Sequence, residues 1–384
     1  MDNTKVLLFT DTFCDINGVS RFVQDLSLMA EKENIAFFVV TSSVKTCSHY
    51  PNVKVFKPKY RMKIPFYKEL DLVFPSYEAL YAYTESISPD VIHISTPGFV
   101  GWMGRKIASE KGIPMAGTYH TDFSKFLYSN VSINILYRMT NKVMQYFYKD
   151  FSALFVRSAF YKNIVEKEIK VPFSKIHTLQ AGIDTYKFNP SYKDRGIWKK
   201  YGIPSDATIA LYVGRLTKEK NFQFLLDIWK DYYSQTFLKN VYLVVVGGTL
   251  NDDKFCRQYH IKTLGVKKGE ELSSIYASSD FFLFPSTTDT LGQVVMEAMS
   301  SGLPVIVSDE GGPKSLLDEQ SKRGYSISTE DPKQWLDTIE ELHLDTQERK
   351  HLGKNGTKFM ESMTIEKSFH TFFDLHRDIT LAKQ

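Results

Sequence analysis

Two short stretches of the chain gather residue types suited to holding an anion. The first, Gly214-Arg215-Leu216-Thr217-Lys218-Glu219-Lys220-Asn221, follows the strand-like run Ile209 to Val213 and opens a helical pattern from Asn221 to Tyr233. Arg215 and Lys220, five positions apart, can grip a diphosphate from two sides while the helix N-terminus adds its dipole. Lys218 fits a solvated surface charge better. In the second stretch Asp289 precedes the turn at Gly292, and Glu297 follows eight residues later, about two turns into an otherwise apolar helix from Gln293 to Ser300. A buried carboxylate there needs hydrogen-bond donors, and either backbone groups or the vicinal hydroxyls of a sugar can supply them.

The first half offers two further positions. Thr10-Asp11-Thr12-Phe13-Cys14-Asp15-Ile16-Asn17-Gly18-Val19-Ser20-Arg21 has one glycine where a dinucleotide fingerprint needs three, so a nicotinamide-cofactor turn does not fit. Gly18 can let backbone N–H groups approach a phosphate or can serve only the turn. His120, within Gly117-Thr118-Tyr119-His120-Thr121-Asp122-Phe123, falls at the end of a strand-like run, where a structural and a functional role are equally open.

These loops belong to a repeating arrangement. Strand-like runs at Val6 to Phe9, Ala36 to Thr41, Val53 to Phe56, Val91 to Ile94, Met115 to Thr118 and Ala153 to Val156 alternate with helical stretches, which predicts a parallel sheet. A second series starts at Ile209 to Val213 and continues with Tyr242 to Val246, Phe281 to Phe284 and Pro304 to Val307. The polar connection after Asn189-Pro190 places a boundary near 190, giving Rossmann-like domains over 1–190 and 191–363. Helical spacing of Phe369, Phe372, Phe373, Leu375, Ile379 and Leu381 predicts a terminal helix, 364–384, expected to rejoin the first domain. Sheets of this kind bind ligands beyond the carboxyl ends of their strands, which predicts a cleft between the two domains.

At 384 residues the chain suits two domains, and its 43% hydrophobic and 24% charged residues exclude a disordered polymer. Its net charge of +4 is too small for a nucleic-acid binder with a dedicated basic face. Cys14, Cys47 and Cys256 lie far apart with no Cys-x-x-Cys, so neither a disulfide framework nor a clustered zinc site is indicated and a reducing, cytoplasmic compartment fits. The start lacks the features of a secretory leader, and no apolar run approaches the roughly 20 residues of a membrane-spanning helix. Asp252-Asp253 reads as solvated loop rather than metal ligands. From Lys54 to Lys68 basic and aromatic residues interleave, with Lys57, Lys59, Arg61 and Lys63 suited to anionic headgroups. The stretch Val131 to Tyr148, carrying Ile133, Leu136, Met139, Val143, Met144 and Phe147, can lie on a membrane or line the core, and most of it is expected in the core.

Taken together, Val213-Gly214-Arg215-Leu216 with Glu219-Lys220-Asn221, Glu270-Glu271-Leu272 through Tyr276-Ala277-Ser278-Ser279-Asp280, and Asp289 to Met299 followed by Ser301-Gly302-Leu303-Pro304-Val305 resemble the retaining glycosyltransferases of family 4, over nearly the whole chain. The resemblance implies a GT-B fold, two Rossmann-like domains facing a cleft. It implies that Arg215 and Lys220 bind the diphosphate of a nucleotide-sugar donor, that Glu297 binds its ribose, and that the backbone at Thr290, Leu291 and Gly292 meets the phosphates and sugar. Gly18 and His120 would serve from the first domain, His120 near the donor sugar. Asp289 stands where the family's E-x7-E motif begins, shortening the reach by one methylene.

Gly247-Gly248-Thr249 and Gln180-Ala181 depart from the family's usual turns. The segments His93 to Gly98, Tyr119-His120-Thr121 and Asp289 to Gln293 are most similar to the branch that glycosylates diacylglycerol and other lipid-linked acceptors. The expectation is a metal-independent, retaining hexosyltransferase that needs no cofactor, takes a nucleotide sugar and a lipid or glycan acceptor, and rests on the cytoplasmic face of a membrane. A soluble acceptor, a silent nucleotide-sugar-binding module and a sugar-nucleotide epimerase are the alternatives.

Overall fold

The computed structural model describes residues 4–15, 17–45, 47, 50–64, 67–120, 122, 134–317 and 322–382. Ile16, Pro65, Phe66, Thr121, Phe123, the opening of the 131–148 stretch with Ile133, and the last two residues lie outside the described set. The chain forms two compact units, Met1–Gly182 with Ile365–Gln384, and Ile183–Thr364. The division falls at Gly182 rather than near 190. Within the second unit the Ile183 N–H donates to the Met363 carbonyl at 2.8 Å, and Ile183 bridges Thr364, so both chain crossings are fixed at one place.

The first unit runs β1 (Val6–Phe9), α1 (Gly18–Lys32), β2 (Phe37–Ser42), β3 (Val53–Phe56), β4 (Tyr60–Ile64), β5 (Tyr67–Phe74), α2 (Tyr77–Ile87), β6 (Val91–Ile94), α3 (Phe99–Lys111), β7 (Met115–Tyr119), α4 (Asn134–Tyr148), β8 (Ala153–Val156), α5 (Ala159–Ile164) and β9 (Ile176–Thr178). Its sheet has the order β3-β2-β1-β6-β7-β8-β9, and every pair is parallel. Strands β1, β6 and β8 are buried throughout, as expected of a parallel sheet covered on both faces. The basic segment forms an antiparallel hairpin, β4 with β5, which the sequence reading does not anticipate. Its period-two alternation of aromatic and basic residues satisfies a strand pattern while leaving Tyr60 and Met62 exposed.

The second unit runs α6 (Ile197–Lys200), β10 (Thr208–Val213), α7 (Phe222–Gln235), β11 (Val241–Val246), α8 (Asp253–Gln258), β12 (Ile261–Thr263), α9 (Gly269–Ser278), β13 (Phe281–Phe284), α10 (Gln293–Ser300), β14 (Val305–Ser308), β15 (Gly324–Ile327), α11 (Pro332–Leu344) and α12 (Thr346–Met360). Its sheet order is β12-β11-β10-β13-β14-β15, again all parallel. The short edge strands β9, β12 and β15 are additions to the sequence reading. Asp252 caps α8, accepting from the Phe255 N–H at 2.9 Å, so it is helix-terminal rather than loose loop.

Helix α13 (Ile365–Leu381) returns to the first unit, where Phe369 and Phe372 are buried with Val6, Leu8, Phe37, Val39 and Phe155. Among the described residues no helix is long and apolar enough to cross a membrane.

Candidate functional site

In the second unit the strand order reverses beside β10, so the loops after β10 and β13 leave in opposite directions and open a crevice at the carboxyl ends of the strands. The two loops carry the two stretches singled out above. Lys220 donates to both carboxylate oxygens of Asp289, at 2.8 and 2.7 Å, with both side chains mostly buried. Arg215 is paired with Glu219, whose carboxylate is buried. The Ser286 and Thr288 hydroxyls donate to the Glu219 carbonyl at 3.2 and 3.0 Å, which joins one loop to the other.

Both helices that start in this crevice lack a side-chain cap. Asn221, before α7, and Gly292, before α10, adopt left-handed conformations with φ of 52° and 77°, and neither cap residue's side chain bonds the first turn. Lys220 directly precedes one of these helix starts and bonds Asp289, three residues before the other, an arrangement suited to an anion. Gly292 is required twice over, because its φ is positive and a Cβ would press on Pro313. Gly312 lies against the same loop; a Cβ there would overlap the Thr290 carbonyl, and its N–H donates to the Asp289 carbonyl at 2.6 Å.

Glu297 is buried on α10 and accepts the Tyr276 hydroxyl at 2.9 Å. This bond orients the carboxylate. Tyr276 itself comes from α9 and packs edge-on to Phe188 at 5.5 Å. Of the residues singled out from sequence, the structure brings Lys220 and Asp289 together, while Arg215 meets Glu219 and Glu297 meets Tyr276; the supports Glu219, Tyr276, Ser286, Thr288 and Gly312 were not foreseen. A signal for Tyr276 was present, since it stands in a segment already picked out.

In the first unit His120 follows β7, half-buried, with Nε2 shielded from solvent and its ring 5.5 Å from Phe22. Phe22 belongs to α1, the helix that begins at Gly18, so one aromatic ring ties His120 to that helix. The buried Arg157 guanidinium lies over the same ring at 4.2 Å. Burial, then the nearby Arg157 charge, holds the His120 pKa well below the usual histidine range, so the imidazole is neutral near pH 7. Burial lowers the Arg157 guanidinium to about 9. The α1 N-terminus at Gly18 is already bonded by Asn17, whose side chain accepts the Ser20 N–H at 2.9 Å.

One pairing in the first unit is not anticipated by the sequence reading. Cys14, on the loop between β1 and α1, is disulfide-bonded to Cys47, with Cα atoms 5.0 Å apart and a sequence separation of 33. The parallel pairing of β1 with β2 brings the two loops together, which residue spacing alone conceals. Cys256 is a free thiol.

Lys57, Lys59 and Arg61 are exposed, and Lys59 reaches Glu78 at 3.4 Å. Lys63 is placed on β4 opposite Asp71 by the backbone register. The described residues contain no group of three or more His, Cys, Asp or Glu side chains arranged to hold a metal ion.

Comparison with known proteins identifies the family. The family model described as "Glycosyltransferase Family 4" matches residues 16–187, and "Glycosyl transferases group 1" matches residues 195–359. The chain is 30% identical over 272 residues to a GDP-mannose-dependent alpha-mannosyltransferase of Mycobacterium tuberculosis, covering 70% of this chain and 68% of that protein. It is 26% identical to the sulfoquinovosyl transferase SQD2 of Arabidopsis thaliana, over 91% of this chain and 69% of that one. An alpha-monoglucosyldiacylglycerol synthase of Streptococcus pneumoniae is 27% identical, over 79% and 70% respectively. In fold it is similar to sucrose-phosphate synthase from Thermosynechococcus elongatus, with a TM-score of 0.79 at 19% identity, covering 99% of this chain and 100% of that one. The chain belongs to glycosyltransferase family 4 and has the GT-B fold.

Proposed function

We propose that the protein transfers a hexose-type sugar from a nucleoside diphosphate donor to a hydroxyl of a membrane glycolipid or lipid-linked acceptor, with retention at the anomeric carbon and without a metal. One observation carries the donor half of this reading: Lys220 and two uncapped helix N-termini meet at the strand-order reversal of the second unit. A diphosphate arriving there competes with Asp289 for Lys220. Once exchanged, Lys220, Arg215 and the N–H groups at Thr290, Leu291 and Gly292 neutralise the charge that develops on the leaving group, and Asp289 is released toward the sugar. Glu297, held by Tyr276, accepts from the ribose hydroxyls.

For the reaction itself we assign the proton to the substrate. The bond between the anomeric carbon and the diphosphate oxygen breaks, the bond to the acceptor oxygen forms on the same face, and the acceptor's proton passes to the departing diphosphate. His120, neutral at physiological pH, is suited to accept or donate a hydrogen bond at the transferred sugar rather than to add positive charge there. Gly18 we assign to a donor phosphate, shared with the Asn17 cap.

The lipid half rests on the relative named as an alpha-monoglucosyldiacylglycerol synthase and on the exposed Lys57, Lys59 and Arg61. We place the protein at the cytoplasmic face of a membrane; the Cys14–Cys47 bond is the feature that argues against a reducing compartment, and alkylation of the purified protein followed by mass spectrometry decides its state.

The test is a thermal-shift and turnover screen against UDP-, GDP- and ADP-sugars, with and without lipid vesicles. Stabilisation by one donor with vesicle-stimulated transfer is expected. Binding without turnover under any acceptor would leave a nucleotide-sugar-binding module, and no stabilisation by any donor would overturn the site.

A further inference from the structure

The neighbouring strands β6, β7 and β8 of the first unit present successive rows of side chains to the side of the sheet covered by α1 and α13. One row is His93, Thr118 and Phe155. His93 bonds the His376 ring and the Thr118 hydroxyl, each at 3.0 Å, and Phe155 packs on Phe372 with ring centres 6.1 Å apart, so this row is complete within the protein. Side chains alternate along a strand, so the residues two places on, Ser95, His120 and Arg157, form the next row toward the carboxyl ends. Phe22 of α1 confirms the side for His120 and Arg157, its ring centre lying 5.5 Å from the imidazole and 4.2 Å from the guanidinium carbon. The Ser95 N–H donates to the Phe9 carbonyl at 2.9 Å, which continues the ladder past Ile94.

This second row is not complete. Arg157 is 4% exposed and Ser95 1%, and among the described residues neither Arg157 Nη1 nor the Ser95 hydroxyl has a hydrogen-bond partner. No carboxylate among the described residues balances the guanidinium: its pKa falls through burial, where a nearby carboxylate would raise it. The acids on the neighbouring strand ends are engaged elsewhere. Asp122 accepts from the Tyr119 hydroxyl and Asp11 from the Val100 N–H at 2.8 Å, and both Tyr119 and Val100 belong to the core on the other side of the sheet. Residues 123–133 contain no aspartate or glutamate, nor does the first half of α1, Gly18 to Gln24. A buried guanidinium without an anion is costly to the fold, and the face of the Phe22 ring offsets only part of that cost.

We infer that Arg157, with the Ser95 hydroxyl of the same row, forms an oxyanion subsite of the first unit that receives a negatively charged group of a substrate, a carboxylate, sulfonate or phosphate. A guanidinium offers paired N–H groups to two oxygens of such an anion and balances its charge, which a water molecule cannot do. The inference deepens the sugar-transfer reading and rests on it for the ligand being a substrate. His120, in the same row, is assigned there to the transferred sugar, so the group that meets Arg157 is an anionic substituent of that sugar or of the acceptor.

The experiment follows the melting temperature of the full chain at constant ionic strength. K220A serves as the background, so that anion binding at the second unit does not contribute. Inorganic phosphate should raise its melting temperature with a saturable dependence, and adding R157M should weaken the apparent phosphate affinity on the order of 10- to 100-fold. S95A should weaken it less. Without ligand, R157M keeps an apolar stem and drops the unpaired charge, so it should melt at or above wild type. Earlier melting would make the guanidinium a structural strut and overturn the inference. With Lys220 restored, ligand pairs that differ in one charged group identify its source: UDP-glucuronate against UDP-glucose, GDP-mannuronate against GDP-mannose, and glycerol 3-phosphate against glycerol. A preference for the charged member that R157M abolishes assigns the anion to the sugar in the nucleotide pairs and to the acceptor in the glycerol pair. No Arg157-dependent effect of phosphate, or no such preference in any pair, would overturn the inference. The sugar-transfer reading fails differently: charged ligands bind through Arg157, and no sugar passes from any donor to any acceptor.

Discussion

Both sheets reverse their strand order beside their first strand, between β1 and β6 in one unit and between β10 and β13 in the other, yet the two reversals are finished in opposite ways. In the first unit the chain supplies its own anion. Asp11, just beyond β1, accepts the Val100 N–H at 2.8 Å and the Thr96 hydroxyl at 2.7 Å, with the Gly101 N–H at 3.4 Å, so its carboxylate sits on the N-terminus of α3. In the second unit the corresponding helix, α10, starts at a glycine that contributes no side chain, and the nearest carboxylate, Asp289, is held by Lys220. One N-terminus is closed by a carboxylate and the other has no side-chain cap. The comparison teaches that equivalent topology marks where a site can form, and local capping decides whether it does.

The sharpest way to break this contrast is to exchange the consequences. Lys220→Ala removes the cation from the open site and should lower kcat/KM for the donor by about 10²- to 10³-fold, with loss of donor-induced thermal stabilisation. Asp11→Asn should leave donor affinity unchanged and lower the stability of the first unit by ~1 kcal/mol, because a charged acceptor at a helix N-terminus becomes a neutral one. Measuring both quantities on both variants is decisive. If Asp11→Asn weakened the donor as much as Lys220→Ala does, the closed reversal would be a ligand site and the contrast would be wrong.

Acid separates the units by another route. In the first unit His376 Nδ1–H donates to the Phe372 carbonyl at 2.6 Å, which leaves its Nε2 to accept from His93 Nδ1–H at 3.0 Å; His93 Nε2 then accepts the Thr118 hydroxyl at 3.0 Å. A proton added at His376 Nε2 would set donor against donor, whereas one added at His93 Nε2 would make the Thr118 hydroxyl turn and accept. Burial lowers His376 from an ordinary 6.5 to about 4 and holds His93 well below its usual range. The unfolded chain therefore binds more protons between these values, so the stabilisation is complete above about pH 6.5 and is lost as pH falls toward 4. From His376 alone the loss is about 3 kcal/mol. Hydrogen exchange at mildly acid pH should open β6 and α13 before β10 and β11, and His376→Gln should flatten the pH dependence. Simultaneous opening of both sheets would assign the acid response to something other than this pair.

Much of this was legible in the residues and some was not, for physical reasons. The buried strands announce themselves as short apolar runs, and β1, β6, β8 and β13 coincide with the stretches read from sequence. Edge strands β9, β12 and β15 have three or four residues and partial exposure, too little pattern for a period to register. Among site residues, Lys220 and Asp289 stood out separately by type and position, but their pairing across 69 residues depends on two loops meeting at the reversal. The Cys14–Cys47 bond likewise depends on β1 lying beside β2. Helix α4 shows the limit of periodicity, since Met144 and Phe147 are buried as expected whereas Met139 and Val143 are exposed: a stripe of apolar residues identifies a face to be covered and leaves open whether the protein or its surroundings cover it.

The smallest effect expected at the open site concerns how its carboxylates are held. Glu297 takes the Tyr276 hydroxyl, a neutral donor, whereas Asp289 takes the Lys220 ammonium. A carboxylate bound to a hydroxyl keeps its charge and further acceptor capacity for ribose hydroxyls, while one bound to an ammonium must be exchanged before it can act. Tyr276→Phe removes one hydrogen bond and keeps the aromatic packing on Phe188, so it should raise the donor KM by about 5- to 10-fold, the equivalent of ~1 kcal/mol, with kcat nearly constant. Glu297→Gln retains an oxygen to accept the tyrosine hydroxyl but loses the charge, and should raise KM further. If Tyr276→Phe lowered kcat and left KM alone, Glu297 would act in the transition state rather than in holding the ribose, and its likeness to Asp289 would be closer than the two hydrogen-bond patterns imply.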